Sequence, residues 1–372
     1  MTRLDYLHKV KRIVVKVGSN SLTTDYTIDK TKIKKIVNEL SELAQSYEIL
    51  LVSSGAIAAG RGLLGFHSKI RNVSEKQAAA SIGQIELIEI YKKFFNKNKI
   101  IISQILLTEG DFADRQKYLN ARNAFDVLLK HQVLPVVNEN DTVGISEIIF
   151  GDNDMLSALI TILVDADLLI ILSDVDGLLD FDKKKLVGQV EKIDDTIFSL
   201  AQTKKTKEGR GGMVSKLKAI EAVMEAGKLG IIANSQRKNV LSDLLQGKEL
   251  GTFFTPKNFL SDKKTGNSKK KWIRYSGMSK GVLKLDSGAV SALSRNKSLL
   301  ATGIKTVEGF FNRGDVVTIC DDMGKSVGRG IVNYSSKDLE LIKGKKTSEF
   351  EKILGLKLNN EIVHKDNFVL LS

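Results

Sequence analysis

Residues 12–21 read Arg-Ile-Val-Val-Lys-Val-Gly-Ser-Asn-Ser. Ile13, Val14, Val15 and Val17 surround a single lysine, Lys16, and the run ends in a glycine followed by small polar residues. Consecutive β-branched residues suit a strand covered on both faces and not an amphipathic helix. The pattern recurs along the chain: EILLVS at 48–53, IIISQILL at 100–107, VLPVVN at 133–138, DLLIILS at 167–173 and GIIA at 230–233. Helical periodicity fills the intervals, at 29–46, 74–96, 116–130, 152–164 and 213–226. Strands alternating with helices predict a mostly parallel sheet with helices on both faces. Ligands of such sheets sit beyond the carboxyl ends of the strands, so the loops after each strand are where chemistry is expected.

A chain of 372 residues, 42% hydrophobic and 27% charged, can bury a sizeable core and predicts two domains, or three at most. The single cysteine, Cys320, excludes a disulfide framework and a cysteine-rich zinc site. His8, His67, His131 and His364 show no pair at ligand spacing, which argues against a His-based metal centre. The longest apolar stretch, 158–172, is broken by Asp165 and Asp167, so no membrane segment is expected. The first 18 residues, MTRLDYLHKVKRIVVKVG, are too charged for a signal peptide, and the cytoplasm is the expected compartment.

The net charge of +13 is uneven. Residues 1–260 carry 36 Lys and Arg against 32 Asp and Glu, whereas residues 261–372 carry 21 against 12. A lysine-rich solvated surface accounts for that excess; a face for nucleic acid is the sharper alternative. The stretch SDKKTGNSKKK at 261–271 has linker composition. This divides the chain into residues 1–260, a basic linker 261–271, and residues 272–372. In the last part, strands at 281–285, 305–307, 315–319 and 326–333 with a helix at 287–294 read as a small β-rich domain.

No Walker-type phosphate loop occurs. GRGLLG at 60–65 fits G-x-G-x-x-G but does not directly follow a strand, and its glycines are read as loop formers. Two other glycine loops carry a lysine: Lys16-Val-Gly-Ser-Asn-Ser, and Glu208-Gly-Arg-Gly-Gly-Met-Val-Ser-Lys216, which opens a helix. Glycines let backbone N–H groups approach an anion, and a helix N-terminus favours one. Each loop alone reads better as an ordinary turn with a solvent lysine; only the two together suggest a split phosphate site. Asn138-Glu-Asn-Asp141-Thr and Gly151-Asp152-Asn153-Asp154 hold more carboxylates and amides than turns and caps require, so they call for a cation. Asx turns and a helix cap are the plainer account of either cluster alone. Ser53-Ser54-Gly55 suits close approach of a small carboxylate to backbone N–H. His67, the nearest histidine in sequence, gives weak support for a serine hydrolase. Ser173-Asp174 ends a strand and suits a nucleotide contact or a turn.

Taken together, VKVGSNSLT, VSSGAIAAGR, LPVVNENDTV, FGDNDMLSAL, LSDVDGLL and GRGGMVSKLKAI resemble the glutamate 5-kinase branch of the amino acid kinase family in order and spacing. KKKWIRYSG, GVLKLDSGAVSAL and SLLATGIKTVEGFFNRGDVVTI resemble its appended PUA domain. The resemblance implies an open, mostly parallel eight-stranded sheet in an α/β/α sandwich, followed by a β-rich PUA domain. It implies transfer of the γ-phosphoryl group of ATP, with Mg²⁺, to the γ-carboxylate of L-glutamate, the first step of proline synthesis. By the same match Lys16 and Lys216 are the catalytic lysines and Asp154 holds them. Ser54, Asp141 and Asn153 bind glutamate, with Asn138 and Asp152 nearby. Lys16, Ser173, Asp174, Arg210, Gly211, Gly212, Met213, Val214, Ser215 and Lys216 hold ATP. Arg210 stands where many members carry threonine. No protein metal ligand is implied. A homo-oligomer, dimer or tetramer, and a handoff to glutamyl phosphate reductase are implied too. RNA binding through the PUA-like domain is the alternative of a different class.

Overall fold

The computed structural model describes residues 2–66, 70, 72–143, 153–180, 183, 185–202, 212–256, 259, 268–275, 279–355 and 359–371. The chain forms two compact units. The first comprises Met1–Thr108 and Asn120–Thr265, the second Glu109–Leu119 and Gly266–Ser372.

Among the described residues, eight strands build the main sheet of the first unit: β1 (Arg12–Val17), β2 (Glu48–Ser53), β3 (Ile102–Leu107), β4 (Leu134–Glu139), β5 (Leu168–Ser173), β6 (Gln189–Val190), β7 (Leu229–Asn234) and β8 (Thr252–Phe254). Their order across the sheet is β6-β8-β7-β5-β1-β2-β4-β3. The pairs from β7 to β3 are parallel; β8 runs antiparallel to β7 and parallel to β6. β1 lies at the centre, with Lys16 in register with Val52 of β2 and Ile171 of β5. Ile13, Val14 and Val15 are wholly buried, as are Leu168, Leu169 and Ile170 of β5. This is the both-faces burial that the continuous apolar runs predict.

The helices of this unit include α1 (Lys30–Leu43), α2 (Ala56–Leu63), α3 (Val73–Lys97), α4 (Arg115–Lys130), α5 (Asp154–Leu163) and α6 (Gly212–Glu225). The first turn of α4 groups with the second unit. Asp29 caps α1, its carboxylate accepting from the N–H groups of Thr31 and Lys32. The reading of GRGLLG as loop formers is corrected. Gly60 lies inside α2, where that helix crosses α3 with backbone against backbone. A Cβ on Gly60 would lie 1.8 Å from the carbonyl oxygen of Ala79, and one on Gly83 would lie 1.9 Å from that of Ala56. Only glycines permit that approach.

The second unit holds a five-stranded sheet of β9 (Gly281–Leu285), β10 (Ile304–Gly309), β11 (Val316–Cys320), β12 (Ser326–Ile331) and β13 (Phe368–Leu370). Its order is β10-β9-β11-β12-β13, over a core that includes Leu283, Ile319, Tyr334 and Phe350. Ahead of α4 lies a short helix, Glu109–Ala113, and α4 itself starts at Arg115. Trp272, almost fully buried, explains this: its Nε1–H donates to the carbonyl of Phe112 at 2.9 Å. Arg115 lies over its ring at 5.2 Å, and the Tyr118 ring meets it edge-on. The helix Ser268–Tyr275 starts inside the stretch of linker composition, of which residues 261–267 lie outside the described residues.

Candidate active site

The chemistry-bearing side chains gather at the carboxyl ends of β1, β2, β4 and β5. Lys16 belongs to the fully covered central strand and is wholly buried. Its Nζ pairs with Asp154 Oδ1 at 2.7 Å. Lys216 Nζ pairs with Asp154 Oδ2 at 3.2 Å, and it also donates to the carbonyl of Gly212. Ser215 Oγ donates to the same Oδ2 at 2.5 Å. Asp154 is itself fully buried. Moving one such ion out of water costs several kcal/mol, so the arrangement stands only as a unit. A carboxylate between two ammonium groups offsets their repulsion and leaves net positive charge at the centre.

Asp154 opens α5, and Asn153 before it has a left-handed backbone, φ 52°, with no side-chain cap bond. The expectation that the Asp152–Asp154 cluster caps the helix is therefore corrected at Asn153. That side chain turns into the site instead of closing the helix end. Strained backbone of this kind persists where surrounding contacts fix it. Here they do: Asn153 Nδ2 donates to the carbonyl of Ser53, to Ser54 Oγ and to Asn138 Oδ1. Asn138 Oδ1 also accepts from the Glu139 N–H, and Asn138 Nδ2 donates to Gln84 Oε1 at 2.7 Å. Ser53 Oγ meets the hydroxyl of the buried Tyr91 at 2.8 Å. Burial drives the Tyr91 hydroxyl far above its ordinary range, so it stays protonated as a hydrogen-bonding strut.

Beside this network lies a cleft of about 240 Å³, lined by Ala56, Gln84, Asn140 and Asp141 among others. Burial pushes the Asp141 carboxyl up to about 6. A bound cation reverses that shift, which is what a carboxylate built to meet an ammonium requires. Gly55, at φ 110°, turns the chain from β2 into α2, whose first residue, Ala56, lines the same cleft.

On the other side, Asn20 Nδ2 donates to Asp174 Oδ2 at 3.1 Å, and Ser173 Oγ donates to Oδ1 at 3.1 Å. Burial works to raise the Asp174 carboxyl. The bonds from Asn20 and Ser173, with the charge of Lys216, bring it below its ordinary value. Gly212, Met213, Val214 and Ser215 form the first turn of α6, with Lys216 just inside it, so the start of this helix sits beside Asp154.

Of the residues singled out from sequence, Lys16, Lys216, Asp154, Ser54, Asn138, Asn153, Ser173, Asp174 and Ser215 join these bonded clusters. Asp141 lines the adjoining cleft. Asp152, Arg210 and Gly211 lie outside the described residues, as does His67. Sequence reading missed Gln84 and Tyr91, which stand seven residues apart on α3 and hence on one face. It also missed Asn20. Among the described residues no group of three or more His, Cys, Asp or Glu could hold a metal ion. No described helix is long and apolar enough to cross a membrane.

The model of the amino acid kinase family matches residues 11–234, and that of the PUA domain matches residues 281–354. The glutamate 5-kinase of Thermoanaerobacter sp. (strain X514) is 44% identical over 368 residues, 97% of this chain and 98% of the relative. That of Caldanaerobacter subterraneus subsp. tengcongensis is 45% identical over 369 residues, again 97% and 98% of the two chains. That of Syntrophotalea carbinolica is 44% identical over 375 residues, 99% of each.

Proposed function

This chain belongs to the amino acid kinase family, to its glutamate 5-kinase branch with a PUA domain, and on that premise we propose how its cleft performs the reaction. The chain phosphorylates the γ-carboxylate of L-glutamate with ATP, the entry to proline biosynthesis. The observation that supports the mechanism is the convergence of Lys16 and Lys216 on Asp154 beside a cleft that Asp141 lines.

A carboxylate oxygen of glutamate attacks the γ-phosphorus, and the bond to the β–γ bridging oxygen breaks. ADP leaves with that electron pair, and γ-glutamyl phosphate forms. The nucleophile is already ionised near pH 7, so no general base is needed. Catalysis then consists of positioning and charge neutralisation. Lys16 and Lys216 face the transferring phosphoryl group and the leaving oxygen. Asp154 holds both ammonium groups at fixed separation before substrate arrives, so little reorganisation is required. Ser173, Asp174 and the segment Arg210–Lys216 bind the nucleotide. Ser54, Asn153 and Asp141 bind glutamate, with Asn138 and Asp152 supporting them. Asp141 takes the α-ammonium.

Both oxygens of Asp154 are engaged by lysines. Asp154 would therefore not be a metal ligand, and Mg²⁺ held by the β and γ phosphates of ATP would supply charge neutralisation there.

The acyl phosphate is labile in water, which favours prompt consumption by a glutamyl phosphate reductase. The exposed Ile85 and Ile101 suit burial by further copies of this chain as a dimer or tetramer. The cytoplasm, where ATP and glutamate are abundant, is the compartment this chemistry suits. A PUA domain does not favour RNA binding over the kinase reading.

The test is an ADP-release assay with hydroxylamine trapping of the acyl phosphate. It compares L-glutamate with aspartate, N-acetylglutamate and carbamate. Glutamate-dependent hydroxamate is expected; equal or better turnover of aspartate would overturn the assignment.

A further inference from the structure

We propose that Gln84 is a specificity-determining residue of the glutamate site, its Nε2–H donating to the α-carboxylate, the end of the substrate that does not react. This rests on the glutamate kinase reading.

The argument follows one hydrogen-bond chain. The Glu139 backbone N–H can only donate, so the Asn138 atom that meets it at 2.9 Å is the amide oxygen. The other end of Asn138 is then a donor, and it meets Gln84 at 2.7 Å. The Gln84 atom there must be oxygen. Its remaining amide end is therefore the NH₂ group, a pure donor. Gln84 is half-buried and lines the same cleft as Asn140 and Asp141. Among the described residues no protein acceptor takes its Nε2.

Position along the chain of bonds assigns the carboxylate. Asn138 bonds Asn153, and Asn153 precedes Asp154, the anchor of the two lysines. Gln84 lies at the opposite end of that relay, away from the transferring phosphoryl group. In an α-amino acid the ammonium and the α-carboxylate share one carbon. A site that meets the ammonium with Asp141 needs a donor for the carboxylate in the same cleft, and Gln84 supplies one. The backbone therefore dictates the polarity of the amide: a single peptide N–H, that of Glu139, sets Asn138, which sets Gln84.

The test uses purified full-length protein, L-glutamate, and 4-aminobutanoate, which keeps the amine and the reacting carboxylate but lacks the α-carboxylate. Gln84→Glu preserves the acceptor for Asn138 and replaces the cleft donor by a carboxylate oxygen. In wild type, kcat/KM favours glutamate. In Gln84→Glu the KM for glutamate rises by at least about tenfold, kcat and the KM for ATP change by less than about threefold, and the preference for glutamate shrinks by at least about tenfold. Gln84→Met, which removes the donor without adding charge, shrinks the preference too; being a ratio, it does not depend on the folded fraction. If Gln84 merely supports Asn138, both substrates weaken together and the preference stays at the wild-type value, which overturns the proposal alone. Wild-type protein that forms no hydroxamate from glutamate overturns the kinase reading, and the proposal falls with it.

Discussion

Lys16 and Asp154 form an ion pair at 2.7 Å with both side chains entirely removed from solvent. Lys216 completes the unit from the other side, its own side chain 6% exposed. The carboxylate is thus shared, and removing it strands two buried ammonium groups at once. Asp154→Asn preserves the volume but not the charge. It lowers stability by about 3–5 kcal/mol, the cost of breaking a buried pair, and abolishes most turnover. Urea unfolding with an unchanged slope measures the first effect. A variant as stable as wild type would show that the pair is not desolvated.

The pH dependence of glutamate capture follows from Asp141. Burial raises its carboxyl from 3.8 to about 6 in the free protein. Below that value the group takes up a proton and loses the charge that meets the α-ammonium, while glutamate's own ammonium and γ-carboxylate stay ionised down to about pH 5. The log of kcat/KM for glutamate therefore falls with slope about one below about pH 6. Bound ammonium favours the ionised carboxylate, so the matching limb in kcat lies lower. Asp141→Asn is poor at all pH and lacks the limb. For stability the sign is opposite: the folded state holds this proton more tightly than the unfolded chain. The contribution is full below about 3.8 and is lost as pH rises through about 6.

The crossing of α2 and α3 carries a third expectation. Gly83→Ala places a methyl group 1.9 Å from the carbonyl oxygen of Ala56, on backbone that cannot rotate away. The helices must separate, at a cost of about 1–3 kcal/mol, and Gln84 and Tyr91 move with α3. Denaturation reports the stability loss, and a raised KM for glutamate reports the displaced network. Unchanged values of both would mean that the two helices have room to spare.

The sequence made the central strands legible because each is buried on both faces and so reads as an unbroken apolar run. β6 and β8 were not, since two or three residues are too few to show a period. The lysine loops and the Asn-Asp clusters were legible as unusually polar loops because their polarity exceeds what turns and caps consume. Gln84 and Tyr91 were not, because on α3 they resemble a surface amide and a core aromatic; their partners Asn138 and Ser53 come from other strands. Gly60 was misread because glycine-rich sequence favours loops locally, whereas here a close helix crossing requires it. The helix Glu109–Ala113 was not legible, because its anchor, Trp272, lies far along the chain.

The most direct test of two lysines acting on one transferring group is the turnover of Lys216→Ala, measured by hydroxylamine-trapped acyl phosphate on protein shown to be folded by circular dichroism. Loss of this preorganised charge lowers kcat by about 10²–10³ with the fold retained. Near-normal turnover in the folded variant would contradict the account, since the phosphoryl group would then be passing without the second ammonium.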